Sequence, residues 1–139
     1  MLNGAQRHPP FCLRLIANLV RATIELAFAR LRHLTQPLKA LLQNNMDGPS
    51  ELNSAQVELV EQVAFVIPRV AKRLPLRADC LIQALAAQHW LARYGIRSVL
   101  VLGVPCNKAK HFEAHAWLTV GERVVTGGDI SNYVPLTHA

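Results

Sequence analysis

Near Gly95 the hydrophobic pattern of this chain changes its period, and that single change limits the fold to helices followed by a small sheet. Before it, apolar residues recur at three- and four-residue steps. Positions 13, 16, 20, 24, 27, 28, 31 and 34 mark a helix over 11–34, with Arg14, Asn18, Arg21, Glu25 and Arg32 opposite. Pro37 ends or restarts that helix, and the turn-rich NNMDGPS at 44–50 reads as a linker. A second helix, capped by Ser54, carries Val57, Val60, Val63, Ala64 and Ile67 up to Pro68. A third runs over 80–93 until Gly95 stops it. Beyond that point, 96–104 (IRSVLVLGV) and 114–120 (AHAWLTV) are short runs rich in Val, Leu and Trp, which predicts strands. Gly121-Glu122 is a two-residue turn, and 123–126 is the returning strand of a hairpin. The expected class is α+β, in one domain: a loose arm and amphipathic helix in 1–50, then a core in 51–139.

Composition narrows the function classes. With 139 residues, 51% apolar and 17% charged, the chain has the balance of a folded domain. Its formal charge of +6 is spread over dispersed arginines and lysines, with no run of five and no interleaved aromatics, so nucleic acid is not an expected partner. The 11–34 segment is cut by Arg14, Arg21, Glu25, Arg30 and Arg32, too often for a membrane span. The same charges break every apolar core a signal peptide would need before Ala27-Phe28-Ala29. The basic helix is compatible with contact to a membrane surface or a partner; the reading adopted is an ordinary helix packed on the domain. Cys12, Cys80 and Cys106 are odd in number and widely spaced, with no C-x-x-C pair and no metal spacing to histidine. Neither a disulfide framework nor a metal or other cofactor is expected, and the compartment is read as a reducing cytoplasm.

Asp79 is a good N-cap, which puts Cys80 in the first turn of the third helix. Free N–H groups and the positive helix end there favour a thiolate, the reactive form of a cysteine nucleophile. Alone, Cys80 reads as a small buried hydrophobe and His115 as a structural histidine. Their order changes the reading. A cysteine at a helix start, followed by a histidine on a hairpin strand, is the layout of papain-like and transglutaminase-like folds. The histidine must share the thiol proton, and an acceptor must orient its ring. Asp129, past the returning strand, is the only carboxylate after Glu122.

The stretches RLPLRADCLIQALAAQHWLARYGIRSVLVLGV and FEAHAWLTVGERVV, with a trailing YVPL, resemble the leader-peptidase component of lasso-peptide biosynthesis, over residues 55–136. The resemblance implies a cysteine peptidase with a Cys-His-Asp triad that cuts the leader from a ribosomally made precursor. It maps Cys80 to the nucleophile and His115 to the base. The family's aspartate falls where Gly127 stands here. The third role is assigned to Asp129 in a shifted register, with a backbone carbonyl as the alternative. The implied partners are the precursor's leader peptide, a separate winged-helix recognition protein and an ATP-dependent lasso cyclase. An acyl or amide transferase with the same triad, and a non-catalytic binding module, are the rival functions. Of the remaining candidates, His89 has a surface or core role, His111 and Cys106 belong to a loop beside the site, and Cys12 is expected to be buried on the first helix.

Overall fold

In the computed structural model, the structure describes residues 11–43, 45, 51–106 and 113–136. The arm at 1–10, most of the proposed linker, and His111 lie outside them. The period change at Gly95 is realised as α1 (Phe11–Thr35), α2 (Leu38–Leu42), α3 (Ser54–Ala71) and α4 (Cys80–Ala92), then β1 (Val99–Pro105), β2 (His115–Val120), β3 (Arg123–Thr126) and β4 (Tyr133–Pro135). Gly95 takes φ +71° as α4 ends, and the Ile96 N–H bonds back to Leu91 O at 3.1 Å, closing the helix. The strands form one antiparallel sheet in the order β3-β2-β1-β4. The fold class is α+β, as the sequence predicts.

Local chemistry explains most boundaries. Asn53, one residue before the expected Ser54, caps α3. Its side chain accepts from Gln56 N, and the Gln56 side chain accepts from Asn53 N, a reciprocal capping box. Nor does α3 stop at Pro68. It continues to Ala71, and Lys72 N–H bonds to Pro68 O, so the proline costs the helix one donor without ending it. In the segment read as a linker, Asn45 is a tertiary tie. Its amide donates to Leu100 O at 2.9 Å and accepts from Leu100 N at 2.7 Å and from Gln88 Nε2 at 3.1 Å. β4 was not anticipated; three residues are too few to show a strand period.

The core lies between the helices and one side of the sheet, where Leu26, Val63, Ile67, Ile82, Leu91, Leu100 and Leu118 are fully buried. Each such side chain contributes about 1.5–3 kcal/mol relative to exposure. α1 belongs to this core, packed on α3 and α4, but through an unexpected face. The apolar stripe that the sequence offers for packing is exposed, and the supposedly outward Glu25 is 2% exposed. Ala22, Leu26 and Ala29 make the contact, the two alanines allowing close approach, while Glu25 pairs with Arg21 at 2.7 Å and with His89 Nδ1 of α4 at 2.5 Å. That pairing gives His89 its role, a tie between α1 and α4. Cys12, expected to be buried, is exposed on the outward side.

Candidate active site

The second half of α3, the first turn of α4 and the end of β3 meet around one cleft of about 500 Å³. One wall is a single face of α3, where Ala64, Pro68 and Lys72 follow at four-residue steps. The other is β3 and its exit, Val124 to Gly128, and between them lie Cys80, Gln83 and His115. The structure therefore brings two of the three expected residues, Cys80 and His115, to the same cavity. Both are half-buried.

Cys80 is the first residue of α4, as the Asp79 cap predicts. Asp79 Oδ1 accepts from Ile82 N at 3.1 Å, and Asp79 O accepts from Gln83 N at 3.0 Å. The cap thus uses donors further into the helix and leaves the Cys80 N–H, among the first-turn donors, for a ligand. Gln83, one turn along on the same side, holds its amide in place by donating from Nε2 to Ala78 O at 2.9 Å. Sequence reasoning passed over Gln83, although its i+3 spacing from Cys80 was a usable signal.

His115 opens β2. Its Nε2 and Gly127 O are 2.7 Å apart. A carbonyl only accepts, so Nε2 carries the proton, and in the neutral ring Nδ1 is the basic nitrogen. The ring is flanked by Tyr133 at 4.6 Å between centroids and by Trp117 at 6.0 Å. Tyr133 had no sequence signal beyond its place in YVPL. Among the described residues, no hydrogen bond joins Cys80 Sγ to His115, so the thiol and imidazole share the cleft without being coupled. Hydrogen bonds of this kind often tighten only when substrate arrives.

The acceptor on His115 is thus the backbone of Gly127, the alternative that the sequence left open beside Asp129. Gly127 suits that place for two reasons. Its φ is +110°, and a Cβ there would stand 2.3 Å from Trp117 Cβ and 3.3 Å from Ala116 O. Only glycine lets the chain come this close and present its carbonyl to the ring. Asp129 lies just beyond, exposed, and its carboxylate accepts from Ser131 N at 2.9 Å. The Ser131 backbone N–H, and then its side chain, hold the Asp129 carboxyl below its ordinary value of 3.8. The structure does not bring Asp129 to His115, because a local turn claims its oxygens first. Cys106 is exposed and outside the cleft.

No helix among the described residues is long and apolar enough to cross a membrane. Comparison with curated proteins and with solved structures returned no match. A family model does match, over residues 22–138, and its span takes in α2 to α4, the whole sheet and every side chain of the cleft. The chain belongs to the transglutaminase-like superfamily.

Proposed function

We propose that this protein is a cysteine peptidase that removes the leader from a ribosomally synthesised lasso-peptide precursor. The observation that carries the chemistry is the His115 Nε2–Gly127 O bond in the cleft that also holds Cys80, because it fixes which ring nitrogen is free to act as base.

Cys80 Sγ attacks the carbonyl carbon at the leader–core junction as its proton passes to His115 Nδ1. The carbonyl π bond opens to an oxyanion, which the Cys80 N–H at the start of α4 receives; the Gln83 amide is a further side-chain donor in the cleft. Collapse breaks the C–N bond, and His115 returns the proton to the leaving amine, which is the N-terminus of the core peptide. Water then gives a proton to His115, adds to the thioester carbon, and releases the leader acid and the Cys80 thiol. Gly127 O keeps the ring in the required tautomer throughout. Asp129 is then dispensable for ring orientation, and Asp129→Asn retains activity within a few-fold.

The choice of a peptide bond at a leader junction, over other acyl substrates, rests on the sequence resemblance across 55–136. The partners rest on the same resemblance: a separate winged-helix protein for leader recognition, and a cyclase acting on the freed core. Incubation of protein, precursor and recognition partner, followed by mass spectrometry, tests this reading. The expected products are a leader fragment carrying one added water and the free core, with neither formed by Cys80→Ala or His115→Ala. A leader fragment joined to an amine instead identifies a transferase. Unchanged processing by Cys80→Ala leaves the domain a binding module.

A further inference from the structure

The packing of α1 leaves a second apolar face that nothing in the described chain covers. Leu13, Ile16, Val20, Ile24, Leu31 and Leu34 lie on one side of the helix, opposite the buried Ala22, Glu25, Leu26 and Ala29, and each is between 54% and 66% exposed. Phe28, at 41%, widens the strip. It runs about 30 Å at the helical rise of 1.5 Å per residue. Its area, on the order of 600 Å², is at the upper end for the largest apolar patch on a soluble monomer.

The charges beside it indicate what it meets. Arg14, Arg21, Arg30 and Arg32 flank the strip, and the one acidic residue of α1, Glu25, is buried on the other side. A second copy of α1 laid on this face would set arginine against arginine with no carboxylate of the helix to offset it. Val20 and Ile24 also line a groove that α1 forms with α3 and α4, but Leu13, Ile16, Leu31 and Leu34 lie on the outer side of the helix, whereas a peptide ligand of this length needs groove walls throughout. An aliphatic face bordered by arginines, on a helix too charged to span, has the composition of a helix that lies in the interface of an anionic bilayer. The sequence alone favoured ordinary packing because its apolar stripe was counted as the core face; the structure gives that work to the opposite side and frees the stripe.

We propose that α1 docks this protein on an anionic lipid surface, its Leu13–Leu34 strip entering the headgroup boundary and Arg30 and Arg32 meeting lipid phosphates. The catalytic cleft, between α3 and β3, lies away from the strip, so docking leaves it open to a peptide. The inference does not depend on the proposed peptidase activity.

The test is co-sedimentation of the full chain with vesicles of phosphatidylcholine alone, and of phosphatidylcholine and phosphatidylglycerol at three to one. Binding to the anionic vesicles is expected to be at least tenfold tighter, and to weaken as salt rises. Ile24→Glu and Leu31→Glu, both at exposed positions, reduce it at least tenfold with unchanged circular dichroism and melting. Arg30→Gln and Arg32→Gln each weaken it about fivefold. Absence of binding to anionic vesicles, equal binding to both vesicle types, or glutamate variants that bind like wild type would each overturn the proposal. So would a lipid-free dimer that Ile24→Glu dissociates, since a second copy would then occupy the strip.

Discussion

Replacing Gly127 with alanine is the sharpest perturbation of the site. Two costs apply at once. A non-glycine residue at φ +110° sits in a region that L side chains rarely adopt, which costs about 1–3 kcal/mol. The new Cβ would also stand 2.3 Å from Trp117 Cβ, and Trp117 is itself buried, so backbone must move; overpacking of this kind costs a further 1–3 kcal/mol or so. Together the loss is about 2–6 kcal/mol, a large part of the roughly 5–15 kcal/mol that holds a domain folded. For a chain of this length each kcal/mol lowers the melting temperature by about 3–4 °C, so a fall of roughly 6–24 °C is expected. Gly128→Ala is the internal control. Its φ is +66°, but no atom lies within 4 Å of the added Cβ, so only a backbone term of about 1 kcal/mol remains.

The same substitution moves the carbonyl that holds His115. A shift near 1 Å in a positioning group is worth about a hundredfold in rate, so leader release falls far more in Gly127→Ala than stability alone explains at temperatures where both proteins are folded. Thermal unfolding by circular dichroism and the 15N shifts of the His115 ring are the measurements. Wild-type protein has its proton on Nε2, and Gly127→Ala shows mixed tautomers. If the two alanine variants melt together and the ring spectrum is unchanged, the argument from steric exclusion and carbonyl placement is refuted.

Asn45→Ala removes three hydrogen bonds and leaves Leu100 N–H and C=O unpaired beside β1, so a loss of about 2–3 kcal/mol is expected in urea titration. Glu25→Ala strips a buried carboxylate from Arg21 and His89 and is expected to cost about 3 kcal/mol by the same measurement, with Glu25→Gln less severe. Among the described residues the Thr126 hydroxyl is buried without a hydrogen-bond partner, so Thr126→Val is expected to melt at or slightly above the wild-type temperature. The Asp129 carboxyl is held below 3.8 in the folded protein. Its contribution to stability is therefore present above that value and fades as pH falls through the lowered one, an effect that Asp129→Asn abolishes and that an NMR titration of Asp129 follows directly.

Legibility from sequence followed the range of the interactions involved. Asp79 and Cys80 were legible because a cap acts over three residues, and Gly95 because a helix stop is a local conformation. The hairpin was legible through Gly121, which takes φ +57°. Gly127 as the partner of His115 was beyond reach of residue types, since any residue has a carbonyl. What makes this one special is its approach to Trp117, ten residues earlier on the neighbouring strand. Asn45 was lost for the same reason: a turn-forming residue and a tertiary bridge look identical until Leu100 and Gln88 are beside it.

The first helix carries this point furthest. Periodicity identifies a stripe but not which way it faces, and α1 has two candidates. The outward one holds the larger residues, so any reading weighted by hydrophobicity selects it. The inward one is decided by shape: Ala22 and Ala29 let the helix come close to α4, and once it is that close Glu25 must be buried, where Arg21 and His89 supply its counter-charges. Turning α1 to bury the aliphatic strip would place arginine flanks in the core and leave Glu25 without its partner on α4. The observed orientation is therefore the one that satisfies charge, and the exposed strip is its consequence. A face left apolar under that constraint, rather than replaced by polar residues, is what a second binding partner on that side requires.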